Sequence, residues 1–231
     1  DVYVDATNYE RWALQYDTSN NLTKVLSPST ATQSEYAYDT YNRLTGARTG
    51  AGPWTTFGYA DENAKYANTI TGPDGLVTNI YYDTNGLITK VTHPSVGTNG
   101  TRWAYDSYGQ VTTVTDPADH VTTYAYDSVG NLTSVTDPNS SETTFAYDDF
   151  GRVTSVTDPR GKVTGYEYAS GGCSGCGGGG RLTKVIDAEA NETTLAYDLN
   201  GNLISVTDAL TVSTDYEYDS LNHLTKIVSP S

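Results

Sequence analysis

Large apolar or aromatic residues alternate with small or polar ones in short runs that recur about every 21 residues along the chain. Side chains of a β-strand point alternately to its two faces, so in Thr122–Tyr126 the rings of Tyr124 and Tyr126 would share one face and Ala125 the other. Ten such runs end in a tyrosine, which we call the anchor. The anchors are Tyr16, Tyr38, Tyr59, Tyr82, Tyr105, Tyr126, Tyr147, Tyr168, Tyr197 and Tyr218.

A second large side chain stands two residues before each anchor, and the residue between the two is mostly small or polar, with Tyr81 as the exception. The runs therefore have one heavy face and one thin face. A two-stranded hairpin is marginally stable in water, and the repeats must therefore stabilise one another. We expect aromatic pairs on the heavy face to stack on those of neighbouring repeats, at about 0.5–1.5 kcal/mol per pair. The predicted stacking residues are Tyr36, Tyr38, Trp103, Tyr105, Tyr124, Tyr126, Phe145, Tyr147, Tyr166, Tyr168, Tyr216 and Tyr218.

A tight turn, here called the first turn, is predicted directly after each anchor. Asp127 stands at its first position and Gly130 at its fourth, where the backbone must be left-handed and where other repeats have Gly or Asn. If Asp127 pairs with Asn131, Tyr126 lies opposite Leu132 and Tyr124 opposite Ser134. This register places Leu132 on the heavy face and Val135 on the other face.

The strand that follows the first turn ends in a second reversal, here called the second turn, at pairs such as Asp137-Pro138. Proline suits the second position of a turn and cannot donate to a strand ladder. Each repeat is therefore predicted to contain two strands and two turns. The irregular spacings place every insertion in a turn and leave the strand lengths constant, and the longest insertion is Gly- and Cys-rich and covers 169–181.

Ten repeats of two strands predict an all-β fold, a repetitive antiparallel hairpin ribbon of roughly twenty strands. Open sheets seldom exceed about ten strands without curling, because strand twist accumulates. We therefore expect the ribbon to curl into a spiral, shell-like or tubular sheet. Residues 1–231 are predicted to form a single repeat array.

The formal charge of −15 disfavours nucleic acid as a partner, since an acidic surface releases no counterions from phosphate. Membrane insertion is also not expected, because the chain has no apolar stretch of membrane-spanning length. Many aspartates occupy turn positions, which explains much of the acidity. The sequence starts at Asp1, lacks methionine and shows no signal peptide, which suggests a mature or excised piece of a longer protein.

Cys173 and Cys176 are the only cysteines and lie in the Gly-rich insertion. They could form a local disulfide, half of a zinc site or a redox pair. A redox thiol would need a helix N-terminus, and zinc would need two further ligands, whereas the three histidines are scattered among different repeats. A disulfide or a structurally idle pair is the favoured interpretation, and an intermolecular metal site or covalent link is the alternative.

No catalytic motif occurs in the sequence. His93 takes the turn-aspartate position and His223 the position after a turn, so both are predicted to be turn residues. The carboxylates repeat in equivalent environments, whereas acid–base catalysis needs two that differ. We therefore expect neither an active site nor a cofactor. Repeated turn aspartates could bind calcium only where several oxygens converge.

The unit Tyr-x-Tyr-Asp-x-x-Gly-Asn-Leu-Thr-Ser-Val-Thr-Asp-Pro at 124–138 resembles the YD repeat of the RHS/YD-repeat family. That family includes Rhs toxins, toxin-complex cocoon proteins, wall-associated proteins and teneurins. The resemblance implies secreted or surface-exposed β-ribbons that spiral into hollow shells, some of which enclose a toxin while others serve adhesion. Compared with shell-forming members, this chain is too short to close a large shell alone.

The sequence thus favours a non-catalytic structural module of a secreted or cell-surface protein, which forms a β-ribbon wall or scaffold. One alternative is an extracellular filament subunit that assembles head to tail through edge strands. Another is an adhesin that binds glycans through exposed aromatic rings. The expected partners are further repeats of a longer chain or other copies, with glycans or an enclosed polypeptide as further possibilities.

Overall fold

A computed structural model describes residues 3–4, 11–29, 31–97, 99–169 and 180–230. Within these ranges the chain forms 21 β-strands, a 3-10 helix at Pro94–Val96 and no α-helix. No helix in the described ranges is long and apolar enough to cross a membrane.

The chain divides into two compact units, residues 1–121 and 122–231. In the first unit each strand pairs antiparallel with the next one along the chain. Its strands are β1 Tyr3–Val4, β2 Arg11–Tyr16, β3 Leu22–Leu26, β4 Thr32–Tyr38, β5 Leu44–Thr49, β6 Thr55–Gly58, β7 Thr69–Thr71, β8 Val77–Tyr82, β9 Ile88–Thr92, β10 Thr101–Tyr105 and β11 Val111–Thr115.

The second unit has the same meander topology, again with antiparallel pairing between consecutive strands. Its strands are β12 Val121–Tyr126, β13 Leu132–Thr136, β14 Glu142–Tyr147, β15 Val153–Thr157, β16 Val163–Tyr168, β17 Leu182–Ile186, β18 Glu192–Tyr197, β19 Leu203–Thr207, β20 Ser213–Tyr218 and β21 Leu224–Val228. The predicted repetitive antiparallel hairpin ribbon is therefore confirmed.

The two turns of a repeat have the same geometry. In the first turn the Asp127 amide donates to the Asn131 carbonyl at 2.9 Å, and the Gly130 amide donates to the Asp127 carbonyl at 3.2 Å. The second turn repeats both bonds between Asp137 and Ser141 and between Ser140 and Asp137. The predicted left-handed backbone at the fourth position of the first turn is confirmed at Asn20, Asn42, Asn222, Gly130, Gly151 and Gly201.

The fourth position of the second turn is also left-handed, although its residues are often neither Gly nor Asn. Positive φ angles of 63° to 67° occur at Asp119, Ser140, Ala190 and Thr211, whereas Gly161 suits the conformation. A left-handed backbone costs an ordinary L-residue about 1 kcal/mol or more. The sequence identified Asp-Pro as the cue for these turns but gave no sign of the left-handed residue two positions after the proline.

The register between the two strands of a hairpin differs from the prediction by one residue. Tyr126 lies opposite Leu132 as expected, but a β-bulge follows, and Tyr124 lies opposite Val135 instead of Ser134. Residues directly opposite in an antiparallel pair point to the same side. Val135 therefore joins Leu132 on the heavy face, and its predicted place on the thin face is wrong.

The prediction that every strand keeps its length is wrong around the first insertion, which lies in the first turn between Tyr59 and Ile70. There β6 ends at Gly58 and β7 has three residues, so Tyr59 lies in the loop 59–68 instead of in a strand. Within the described residues no hydrophobic side chain is fully buried, and the buried side chains are those of Ser27, Glu35 and Thr92. A single-layer sheet has no enclosed core, so its stability must come from contacts between adjacent strands and turns.

Candidate functional site

Several anchor tyrosines link their hairpin to the one before it. In the second unit the Tyr147 hydroxyl on β14 donates to the Leu132 carbonyl on β13 at 2.8 Å, and the Tyr168 hydroxyl donates to the Val153 carbonyl at 2.8 Å. The ladder between β13 and β14 begins only at Ser134, so the Leu132 carbonyl lies beyond its backbone pairing. The anchor hydroxyl supplies the hydrogen bond that a further ladder residue would otherwise provide.

The same link recurs in the first unit. The hydroxyls of Tyr38, Tyr59 and Tyr105 donate to the carbonyls of Leu22, Leu44 and Ile88 at 2.7–3.0 Å. Burial raises the pKa of Tyr38 and Tyr105, which keeps their hydroxyls protonated as donors. This contact explains why tyrosine is required at these anchors, whereas the position two residues earlier accepts Leu, Ile, Phe, Trp and Tyr.

The predicted stacking residues lie opposite aliphatic side chains within their own hairpins. Tyr36, Trp103, Tyr124, Phe145, Tyr166 and Tyr216 face Ala47, Val114, Val135, Val156, Val185 and Ile227. The anchors Tyr38, Tyr105, Tyr126, Tyr147, Tyr168 and Tyr218 face Leu44, Val111, Leu132, Val153, Leu182 and Leu224. Stacking of their rings between repeats remains a prediction.

A ring stack does occur at the first insertion, where the sequence did not predict it. Tyr66, in the loop 59–68, stacks on the anchor Tyr82 with 5.1 Å between ring centroids, and the Tyr82 hydroxyl donates to the Ala67 carbonyl at 3.1 Å. The inserted loop thus replaces the missing end of β7 as the partner of the anchor. An extra tyrosine inside an insertion is the signal that could have indicated this role.

The turn aspartates are hydrogen-bonded within their own turns. Asp127 Oδ1 accepts from the amides of Val129 and Asn131 at 3.0 and 2.8 Å, and its Oδ2 accepts from Asn131 Nδ2 at 2.9 Å. These bonds, first the one from the Asn131 side chain and then those from the backbone amides, lower the pKa of Asp127. The Asp127 carboxylate is therefore held as an ionised turn acceptor, a structural role.

An arginine at the position after some first turns extends the link to the next repeat. Arg152 pairs with Asp148, and its guanidinium lies 4.6 Å from the ring centroid of the anchor Tyr168. Arg43 pairs with Asp39 in the same way and lies 4.2 Å from the centroid of Tyr59. Sequence analysis missed these arginines, and their recurrence four residues after a turn aspartate is the signal that could have found them.

The residue that creates the bulge also has a defined partner. In four repeats the hydroxyl of a bulge threonine donates to a backbone carbonyl across the hairpin at 3.0–3.3 Å. The donors are Thr23, Thr89, Thr183 and Thr225, and the respective acceptors are the carbonyls of Gln15, Tyr81, Glu167 and Glu217. Sequence analysis assigned no role to this recurrent threonine, although it directly follows the heavy-face aliphatic residue in most repeats. A bulge interrupts the backbone hydrogen-bond ladder, and the threonine hydroxyl supplies a hydrogen bond to a carbonyl at this interruption.

The histidines occupy the predicted turn positions. His93 Nδ1 accepts from the Ser95 amide at 3.2 Å, and His223 Nδ1 lies 3.1 Å from Asp219 Oδ2. Cys173 and Cys176 lie outside the described residues. In the described part of the chain no three His, Cys, Asp or Glu side chains cluster as a metal site would require.

Two family models match the sequence. The RHS repeat model matches most of the chain from the fourth anchor onward, and the Teneurin YD-shell model matches residues 2–99. The RHS repeat matches cover 82–121, 105–142, 126–163, 147–171, 178–209 and 197–231. The chain belongs to the RHS repeat family. Its anchor tyrosine, turn aspartate and bulge threonine are therefore elements of an RHS repeat.

Solved structures share the fold at low sequence identity. A crystal structure of TcdB2-TccC3 matches with a TM-score of 0.58 and 15% identity over 99% of this chain. A Photorhabdus luminescens Tc holotoxin pore matches with a TM-score of 0.55 and 14% identity over 99% of this chain. The RHS-repeat chain spans about 15% and 14% of those two chains. The comparison with curated protein sequences found no significant match.

Proposed function

We propose that this RHS-repeat chain is a non-catalytic wall or scaffold module of a secreted or cell-surface protein. The observation that carries this proposal is the hydroxyl bond between successive hairpins, which recurs at several anchors, as from Tyr147 to Leu132. A continuous wall needs such a contact between repeats more than it needs a binding pocket. The turn carboxylates support the same role, since Asp127 and Asp148 are both committed to their own turns.

The proposed partners of this wall are further repeats of a longer chain. A polypeptide enclosed by the wall is a further proposed partner. The RHS repeat and Teneurin YD-shell matches support this view, and so does the fold shared with Tc toxin structures. An extracellular or cell-surface location follows from the same family membership and is part of the proposal. The acidic charge of −15 favours solubility of an exposed wall and disfavours nucleic acid.

Filament formation is a second candidate because of the strand β21. All five of its residues, Leu224–Val228, are exposed, and within the described residues it pairs only with β20. An unpaired strand edge can accept another strand through backbone hydrogen bonds. Either a further repeat or a second copy could supply that strand.

Glycan binding is a third candidate, supported by one groove in the first unit. The groove has a volume of about 680 Å³ and lies between two first turns, with Asp83, Asn85, Trp103, Asp106 and Tyr108 in its lining. Aromatic rings beside carboxylate and amide groups suit sugar rings. If the chain is a wall module, as proposed above, a glycan array probed with the labelled chain should give no ligand whose binding depends on Tyr108.

Negative-stain microscopy of the purified chain separates the wall from the filament. Discrete particles that also resist limited proteolysis within the strands are expected for a wall module. Fibres that lengthen with time would contradict the wall proposal and favour the filament. A glycan ligand that is lost in Tyr108→Ala, but retained in the matched turn variant Val129→Ala, would replace the wall proposal by the adhesin.

A further inference from the structure

Two hairpins of the second unit, β16–β17 and β20–β21, closely resemble one another. Both first strands end in Tyr-Glu-Tyr, and the second strands read LTKVI in β17 and LTKIV in β21. The registers are also the same, with Glu167 opposite Lys184 in one hairpin and Glu217 opposite Lys226 in the other. The strand that covers β17 therefore indicates what β21 can bind.

Lys184 of β17 pairs with the strands on both of its sides. Its ammonium lies 3.6 Å from Glu167 Oε1 on β16 and 3.2 Å from Glu192 Oε2 on β18. The hydrogen bond to Glu192 is the largest cause of the raised pKa of Lys184. Glu192 lies opposite Ile186, so it is diagonal to Lys184 on the same face of the sheet. The strand β18 thus matches β17 by charge as well as by backbone pairing.

Lys226 of β21 has only one half of this arrangement within the described residues. Its ammonium donates to Glu217 Oε1 on β20 at 2.8 Å, and its side chain is 57% exposed, compared with 25% for Lys184. All five residues of β21 are exposed, whereas all five residues of β17 are half-buried. The strand β21 therefore presents a backbone edge and a lysine that a further strand could cover together.

Two other strands have a lysine at the same position and differ in what surrounds it. Lys24 of β3 pairs with Glu35 of the next strand at 2.8 Å. Lys90 of β9 instead lies opposite Arg102, and its ammonium is 5.8 Å from the ring centroid of Tyr81. Tyr81 stands where β16 and β20 have a glutamate. The hairpin that contains β21 is therefore of the same type as the one that contains β17.

We propose that the β21 edge binds a strand of a further RHS repeat that has an acidic residue five positions before its anchor tyrosine, and that Lys226 selects this strand. Glu192 stands five positions before Tyr197 and provides the pattern. The acidic residue would lie opposite Val228 and diagonal to Lys226. This inference rests on the proposed wall function, and it specifies the strand that continues the wall.

The strand β2 of a second copy fits this edge less well. Five positions before its anchor Tyr16 it has Arg11, where β18 has a glutamate. Two positive charges at neighbouring positions of a strand pair are destabilising. β2 also already pairs with β1. Charge therefore favours a further repeat over head-to-tail pairing of copies at β21.

A labelled peptide with the sequence of residues 188–200, which contains β18, tests the proposal by fluorescence anisotropy with the full chain. The peptide should bind saturably to the wild-type chain and about fivefold more weakly to Lys226→Glu. The peptide variant Glu192→Lys should show the opposite preference. The matched control is Lys90→Glu, which changes the net charge equally at the same position of an interior strand and should leave binding unchanged.

Hydrogen exchange by mass spectrometry identifies the binding site, because the bound peptide should slow exchange of the β21 amides. Circular dichroism checks that the variants are folded, and the comparison of the two peptides on the wild-type chain needs no protein variant. The absence of saturable binding would overturn the proposal. Equal weakening by Lys226→Glu and Lys90→Glu would overturn the role of Lys226.

Fibres of the wild-type chain that excess peptide fails to disperse would show that another copy covers β21, which would also overturn the proposal. A peptide that does not bind leaves the wall function intact. The wall is judged separately, by discrete particles whose strands resist proteolysis.

Discussion

The hydroxyl group of the anchor tyrosine makes the contact that distinguishes it from every other large residue on the heavy face. Leu, Ile, Phe and Trp all occur two residues earlier, where only apolar area is required. At the anchor, the ring fills the same face while the hydroxyl reaches a carbonyl of the preceding strand, as between Tyr147 and Leu132. Shape and hydrogen bonding are thus combined in one side chain.

Removal of that hydroxyl should destabilise the second unit. Tyr147→Phe leaves the Leu132 carbonyl without its 2.8 Å donor, and the free energy of unfolding should fall by about 1 kcal/mol. Tyr124→Phe is the matched control, since the Tyr124 hydroxyl makes no hydrogen bond to any described residue. Urea unfolding measures both. Equal effects of the two substitutions would contradict a specific role for the anchor hydroxyl.

A left-handed alanine in a second turn offers a stabilising substitution. Ala190 has a φ of 64°, which glycine adopts without steric cost, so Ala190→Gly should raise the free energy of unfolding by about 0.5–1 kcal/mol. Gly161 has a φ of 78° in an equivalent turn, and Gly161→Ala should lower it by a similar amount. Thermal unfolding of both variants measures these changes in stability. Stability changes of the same sign in the two variants would show that backbone conformation is not the cause.

At the scale of the elements, hairpins are joined by side chains that emerge from the turns. The Asp148 carboxylate fixes its turn and also pairs with Arg152, whose guanidinium lies against the anchor of the next hairpin. On the thin face, Glu35 of β4 pairs with Lys24 of β3 and with Arg48 of β5. Both faces of the sheet thus carry contacts between strands, which compensates for the lack of a second layer.

Loss of the arginine at the first turn should uncouple two neighbouring hairpins. Arg152→Ala removes the ion pair with Asp148 and the contact with Tyr168, and the free energy of unfolding should fall by about 1 kcal/mol. Arg160→Ala is the matched control in a second turn, where the exposed side chain makes no ion pair with a described residue. Chemical denaturation of the two variants should differ, and indistinguishable midpoints would disprove the coupling.

Acidification should destabilise the ribbon through its turns. Hydrogen bonds to the turn carboxylates lower their folded-state pKa values below the unfolded value of about 3.9, so the ionised form favours the folded state. The ionised turn carboxylates contribute to folding stability above a pH of about 4. This contribution is lost as the pH falls through their lowered folded-state pKa values. These residues are Asp17, Asp39, Asp116, Asp127, Asp148, Asp187, Asp198 and Asp219.

The measurement is the melting temperature between pH 7 and pH 2. It should stay nearly level down to about pH 5 and then fall steeply. Asp127→Asn keeps an acceptor at Oδ1 but cannot ionise, so this variant should lose less stability on acidification than the wild-type chain. A melting temperature that rises as the pH falls below about 4 would contradict the assignment.

At the scale of the whole molecule, periodicity predicted the elements but not the contacts between them. Alternation around Tyr124 and Tyr126 located the strands, and Asp127 with Gly130 located the turn. The register failed at Val135 because a bulge depends on the hydrogen bonding of two strands, and one strand's periodicity contains no information about it. Likewise, a tyrosine in a sequence does not reveal whether its hydroxyl reaches a neighbouring strand.

Each hairpin in a linear array contacts only its neighbours, so stability should be distributed locally along the chain. The central claim is that anchor hydroxyls provide a substantial part of this coupling. Their loss should therefore have a local effect in the sequence, confined to the hairpins on either side of the altered contact. A compact domain with one shared core would instead lose protection throughout.

Hydrogen exchange by mass spectrometry on wild type and Tyr147→Phe is the most direct test of this claim. Amides of β13 and β14, which the Tyr147–Leu132 bond joins, should exchange faster in the variant, while those of β20 and β21 should exchange as in wild type. Tyr124→Phe should match wild type throughout. Faster exchange spread evenly over the second unit, or no change at β13 and β14, would contradict coupling of the repeats by the anchor hydroxyl.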